Sequence, residues 1–316
     1  MNDKKIAVLG GGTGMSVLLR GLKKLPFDIS AIVSVCDDGS STGRLREEFN
    51  IPAVGDIRKV LTSLSTDTAT ASKLFNYRFD TYSDLDGHAL GNLLLIGARD
   101  ITGNMSDGIE LINKLLKLQG KVLPLTEDNV VLQGIMEDGS IVDGEHNITE
   151  DNRKVLDVKY KEKPEVNKDV LKAIRRADAI VLSMGSLFTS IMPNLICSEV
   201  QDEIAKSKAK IIYVCNVMTQ PGETLGFSVS DHVKLLNKYL GTRNVDAVVV
   251  NTADISPEVV EKYSNTEQKD VVEVDYDELE KLGVDLIKGN YAIIEDEIIR
   301  HNALKVAIDL FSYLMD

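Results

Sequence analysis

The chain has no tryptophan, only three cysteines, and no apolar run near the roughly 18 residues of a membrane span. Cys36, Cys197 and Cys215 form no Cys-x-x-Cys pair and sit in apolar stretches. A cysteine metal clip is thereby excluded, and the thiols read as buried in a reducing cytoplasm. Positive charge is also short, with 36 Lys and Arg against 49 Asp and Glu and a formal net charge of −13. Such a surface repels nucleic acid and anionic membranes, so neither is an expected partner. Any anionic ligand must be held by local groups against the global field. The polar N-terminus leads straight into a strand pattern, so no secretory signal is expected and the expected location is cytoplasmic.

Two phosphate fingerprints are missing as well. Residues 5–9 form an apolar strand pattern that runs into Gly10-Gly11-Gly12-Thr13-Gly14. Met15 stands where Gly-x-Gly-x-x-Gly needs its last glycine, which disfavours a nicotinamide oxidoreductase. Gly14 is followed by Met15-Ser16 rather than by the Lys and Ser/Thr of a P-loop. What remains is a glycine cluster between a strand and a helix, with Met15, Leu18, Leu19, Leu22 and Leu25 at helical spacing. Such a turn admits a ligand without Cβ obstruction and points free N–H groups at it, at the positive end of a helix dipole. The expected ligand is an anion, a phosphate before others. The competing reading is a tight turn that binds nothing.

Strand patterns at 29–35, 179–183, 210–215 and 245–251 alternate with helical patterns at 57–64, 89–99, 107–118, 169–176, 231–240 and 302–315. Shorter strands are expected near 284–287 and 292–294. The alternation predicts an α/β fold, a Rossmann-like doubly wound and mainly parallel sheet, in a single domain over residues 1–316. Between 121 and 160, short strand patterns surround the turn signal Glu137-Asp138-Gly139. This is a small β-rich insertion, either covering one side of the site or extending the main sheet antiparallel. Ligands of such sheets bind beyond the carboxyl ends of the strands. Apolar helix faces fit a core or a homo-oligomer interface equally.

The loops at those strand ends carry the chemistry. Asp37 and Asp38 open a hydroxyl- and glycine-rich loop, with Ser40, Ser41, Arg44 and Arg46 following. The two carboxylates suit a Mg²⁺ that bridges phosphates, or a ribose hydroxyl. Arg44 or Arg46 suits a bidentate grip on phosphate. A solvated loop with surface arginines is the plain alternative. Asp56 opens another helix, as an N-cap or as a ligand contact. His88 and Asn92 begin a further helix; His88 is either a general base or an ordinary polar residue, and Asn92 suits a base or a ribose. Gly185, Ser186, Thr189 and Ser190 repeat the opening logic, a second helix N-terminus ready for an anion. Asn216 and Thr219 follow a strand directly and belong on the same edge.

As an ordered set, these segments resemble the gluconeogenesis factor family, related to 2-phospho-L-lactate transferase. The resemblance rests on Gly10-Gly11-Gly12-Thr13-Gly14, the run Asp37 to Arg46, and Gly55-Asp56-Ile57-Arg58. His88-Ala89-Leu90-Gly91-Asn92, the run Gly185 to Leu195, and Asn216-Val217-Met218-Thr219-Gln220 extend it over most of the chain. It implies a Rossmann-like core that binds a nucleotide diphosphate. In this branch the implied ligand is a nucleotide sugar of the UDP-N-acetylglucosamine kind, and the implied role is cell shape and cell-wall precursor supply on gluconeogenic carbon, through protein partners in cell-wall synthesis. On that reading Gly11, Gly12, Thr13 and Gly14 cradle a phosphate, and Asp37 and Asp38 hold ribose or Mg²⁺. Arg44 neutralises phosphate, Asn92 and Asn216 meet sugar or base, and Ser186 with Thr189 take the distal phosphate. The transferase branch implies instead a Mg²⁺-assisted transfer of a phospholactyl group from a nucleotide donor to a deazaflavin. Aromatic residues at 5% leave few stacking partners for that tricyclic ring.

Overall fold

The structure, a computed structural model, describes residues 3–151, 153–295 and 298–315. Its first strand, β1 (Lys4–Gly10), is buried on both faces from Ile6 onward, as a central parallel strand must be. In chain order there follow β2 (Phe27–Val33), β3 (Lys121–Pro124), β4 (Leu132–Met136), β5 (Ile141–Asp143) and β6 (Val155–Tyr160). Then come β7 (Ala179–Leu182), β8 (Lys210–Val214), β9 (Ala247–Asn251), β10 (Asp285–Gly289), β11 (Ala292–Glu295) and β12 (Ile298–His301). The main sheet has seven strands in the order β10-β9-β8-β7-β1-β2-β3. Every neighbouring pair in it is parallel.

This order matters for function. From β1 the chain winds outward through β2 and β3, then returns to β7 on the other side of β1. Leu9 of β1 pairs with Ile32 on one side and Leu182 on the other. The loops after β1 and β7 therefore leave the same edge and diverge to opposite faces. A crevice must open between them, the site such sheets use for ligands.

The helices that frame this edge are α1 (Gly12–Leu22), α2 (Ser40–Phe49), α3 (Val54–Leu64), α4 (Thr68–Phe75) and α5 (Leu90–Thr102). Met15, Leu18, Leu19 and Leu22 of α1 are fully buried against the sheet, as their spacing predicts. The segment expected as an open loop after Asp37 and Asp38 is instead helical from Ser40. Its first residues, Ser-Ser-Thr-Gly, are weak helix formers. Burial of Leu45 and Arg46 against the core overrides that weakness.

The β-rich segment divides. Residues 121–124 join the main sheet as its edge strand, parallel to β2 rather than antiparallel. The rest makes a separate three-stranded antiparallel sheet, β5-β4-β6. Arg46 ties this small sheet to the strand edge, donating to the Asn129 side chain and to the carbonyls of Cys36, Asp37 and Val130. With its guanidinium so engaged, Arg46 is a clamp and not a phosphate ligand.

Candidate functional site

Gly11 is extended, and Gly12 turns the chain at φ +64°, a left-handed conformation that favours glycine. The first turn of α1 carries no acidic residue and its N-cap, Gly11, has no side chain, but the Asp56 carboxylate of α3 reaches the turn and accepts from the Gly12 amide. The Thr13 and Gly14 amides have no side-chain acceptor among the described residues. Gly14 lies against the loop after β7, closely enough that a Cβ there would overlap the Met184 carbonyl. The two lips of the crevice touch at this point.

Beyond it lies a cleft of about 390 Å³, within the range of small-molecule sites. Gly11, Gly12, Thr13 and Gly14 form one wall, and Gly185, Ser186, Asn216 and Thr219 line it as well. Asn216 Nδ2 donates to the Gly185 carbonyl at 3.0 Å, which fixes the amide at the rim. The Thr219 hydroxyl accepts from the Asp270 amide at 2.9 Å, lacing the far wall. Arg300 and His301 of β12 close the cleft. His301 Nε2 lies 3.0 Å from the Cys215 carbonyl, and burial pulls its pKa down to about 4, so it is a neutral donor. Arg300, half-buried, has no hydrogen bond or ion pair among the described residues. A helix N-terminus and an unpaired guanidinium that line one cleft suit an anion by charge.

The second helix N-terminus is filled from within. Ser186 caps the π-helical turn Leu187–Ile191, and its hydroxyl donates to the Glu223 carboxylate at 2.6 and 2.7 Å. The Phe188 amide donates to the same carboxylate at 3.1 Å. Thr189, by its amide and hydroxyl, donates to Ser186 Oγ at 3.1 and 2.7 Å. Burial raises the Glu223 pKa against these bonds. The anion-ready N-terminus thus holds the protein's own carboxylate. Glu223→Ala would strand the half-buried Ser186 hydroxyl and the buried Phe188 amide, and should cost about 2 kcal/mol in chemical denaturation. Glu223→Gln keeps an acceptor and should cost less.

The chain's relatives agree with this architecture. The model of the 2-phospho-L-lactate transferase CofD family matches residues 6–292. The gluconeogenesis factor of Bacillus subtilis (strain 168) is 44% identical over 313 residues, spanning 99% of this chain and 98% of that protein. The gluconeogenesis factor of Halalkalibacterium halodurans is 44% identical over 308 residues, 97% of this chain and 95% of that one. The chain belongs to the gluconeogenesis factor family. A crystal structure of a UPF0052 family member from Bacillus halodurans, at 45% identity, matches with a TM-score of 0.92. It covers 97% of this chain and 99% of that one.

In this gluconeogenesis factor fold the remaining expected residues fall outside the cleft wall, in two groups. Asp37 and Asp38 diverge. Asp37 Oδ1 accepts from the Gly39 amide at 3.0 Å, while Asp38 Oδ1 accepts from the His146 amide at 2.8 Å in the small sheet's helix. Asp37 faces Asp56, whose carboxyl abuts the Gly11–Gly12 turn. Asp56 is no N-cap, since Ala53 holds that place. It is buried, its pKa is raised by burial, and it pairs with Lys59 at 3.0 Å. Ser41, Arg44 and Asn92 gather elsewhere. Ser41 Oγ lies 2.9 Å from His88 Nδ1 and accepts from Asn92 Nδ2 at 3.2 Å. Arg44 reaches the Asp86 carbonyl at 2.7 Å, and Ser40 sits exposed at the start of α2.

Sequence reasoning passed over Arg300, Glu223 and Glu145. Glu145 opens the helix Glu145–Glu150 beside Asp37, Asp38 and Asp56. Burial first, then Asp37, pushes its pKa up to about 7, with the Thr189 hydroxyl working the other way. Between its ordinary 4.5 and about 7, the folded chain keeps a proton that the unfolded chain has released. Stability should therefore fall as pH rises through that window. Denaturation midpoints across it should show the fall in the native chain and lose it in Glu145→Gln.

Proposed function

We propose that this chain binds a nucleotide sugar of the UDP-N-acetylglucosamine kind in the glycine cleft. The observation that carries the reading is that the glycine turn of Gly11 to Gly14 and an Arg300 side chain unpaired among the described residues line one cleft. On this reading the amides hold one phosphate, Arg300 neutralises the diphosphate, and Asn216 meets the sugar or base. Local amides and one guanidinium suffice to hold a dianion against a net charge of −13. On this reading the bound state serves cell shape and cell-wall precursor supply on gluconeogenic carbon, in the cytoplasm and through protein partners; the family name supports the gluconeogenic part of the role alone. Calorimetric titration with UDP-N-acetylglucosamine should give saturable binding. Absence of heat, with or without Mg²⁺, would remove the reading.

One observation favours a second reading, a Mg²⁺-dependent transferase acting on a nucleotide-activated donor. Asp37 and Asp56 stand together beside the glycine turn, and two like charges at a buried place invite a cation. Mg²⁺ often takes only one or two protein carboxylates, so these residues fit it. Among the described residues no three ligating side chains gather into a closed metal site. When bound, the ion would neutralise charge on the phosphates, while Asp37 and Asp56 hold its place and the amides orient the donor. Deazaflavin-dependent release of GMP, lost in Asp37→Asn, would select this reading.

A further inference from the structure

We infer that a second anion pocket, separate from the glycine cleft, lies between α2, α3 and the loop before α5, centred on Arg58. Arg58 is 5% exposed, yet its buried Nε has no hydrogen-bond partner, and the side chain makes no ion pair among the described residues. Buried arginines are ordinarily paired, because an uncompensated charge away from water is costly. Asp37 and Asp56 are its charge neighbours, but neither forms an ion pair or hydrogen bond with it among the described residues. Asp56 pairs with Lys59, Asp37 accepts from the Gly39 amide, and Asp86 accepts from the Thr81 amide. Glu48, near His88, is exposed on α2.

Two further guanidinium groups gather here. Arg44 and Arg78 lean on neighbouring carbonyls of one loop, those of Asp86 at 2.7 Å and Gly87 at 2.6 Å. Arg78 is a charge neighbour of both Arg58 and His88, and Arg44 is one of His88. Beneath them, Asn92 is 1% exposed and its Oδ1 has no partner, although its Nδ2 is bonded to Ser41. Ser40, at the mouth of α2, holds φ +42°, a strained conformation for a residue with a Cβ. Among the described residues, an acidic chain has thus gathered three guanidinium groups with no ion-paired carboxylate, together with a buried amide oxygen that lacks a donor.

Planar guanidinium forks match phosphate, and the free Asn92 oxygen suits a hydroxyl. The ligand class is a small phosphorylated hydroxy compound, a sugar phosphate in form. None of Arg44, Arg58, Arg78, His88 or Asn92 lines the glycine cleft. The two sites share no lining residue, so both are expected to fill together.

The test titrates the full chain with ribose 5-phosphate and with inorganic phosphate, in the absence and presence of saturating UDP-N-acetylglucosamine. Saturable binding of a probe is expected in both conditions. Arg58→Gln should abolish it, and Arg78→Gln should weaken it at least about tenfold, the loss typical of one charge-assisted contact. Nucleotide-sugar affinity should stay within about twofold in both variants, since separated sites behave independently. Arg78 is exposed, so its variant carries the test if Arg58→Gln does not fold. No binding of either probe at millimolar concentration overturns the proposal. So does displacement of the probe by the nucleotide sugar, or native affinity in Arg78→Gln. A probe that binds while the nucleotide sugar does not would sink the reading of the glycine cleft and leave this pocket standing.

Discussion

Gly14→Ala should abolish ligand binding in the glycine cleft and lower stability by about 3 kcal/mol, the upper end for an overpacked core. The added methyl would overlap the Met184 carbonyl and lie 3.0 Å from the Gly185 amide. Both are backbone atoms continuing from buried β7, so no flexible side chain can swing aside to relieve the clash. The relief available is separation of the two loops, which moves the amides of Gly11 to Gly14 away from Arg300. Gly21→Ala is the control. Its methyl would overlap the Ala303 carbonyl at the start of the terminal helix Ala303–Met315, at the other end of α1. It should lose stability to a similar degree yet keep nucleotide-sugar affinity within about threefold, because distant sites act independently. Calorimetry and chemical denaturation on both variants separate the roles. If Gly14→Ala bound as tightly as the native chain, the touching lips would be irrelevant to the site.

The contrast shows which features can be read from local sequence. The turn after β1 was legible because glycine clustering and the 3.6-residue spacing of Met15, Leu18, Leu19 and Leu22 lie within one short window. The parallel order of the sheet followed from alternating strands and helices. Other features depend on partners far along the chain. Ser186 and Thr189 read as a helix start ready for an anion, and a helical turn capped by Ser186 does begin there. Nothing near them announces that Glu223, 37 residues on, folds back to fill it. Likewise α2 begins with residues that prefer caps and turns, and its helix exists because Leu45 and Arg46 find buried places. Arg46 looked like a phosphate ligand by residue type, but three carbonyls and Asn129 claim its donors. The inference from an arginine to an anion holds where the guanidinium is left unpaired, and only tertiary structure shows which ones are.

Arg300 is such a residue, and Arg300→Gln should weaken nucleotide-sugar binding by about 10- to 100-fold, the worth of a hydrogen bond to a charged group. The side chain projects from β12, in a two-stranded antiparallel hairpin with β11, where an arginine would ordinarily be surface decoration. Here the neighbouring His301 is locked to the Cys215 carbonyl, which anchors the hairpin end at the cleft that Arg300 lines. Because the Arg300 side chain has no partner among the described residues, the substitution strands no group there, and denaturation midpoints should be unchanged. Arg300→Lys should recover only part of the affinity, since an ammonium supplies charge but not the planar fork. Added salt should erode binding in the native chain more steeply than in Arg300→Gln, as one half-buried charge contact is removed. Native affinity in Arg300→Gln would leave the amide row alone to hold a diphosphate on an acidic protein. The charge balance of the cleft would then have to come from a bound cation beside Asp37 and Asp56, which is the arrangement the transferase reading requires.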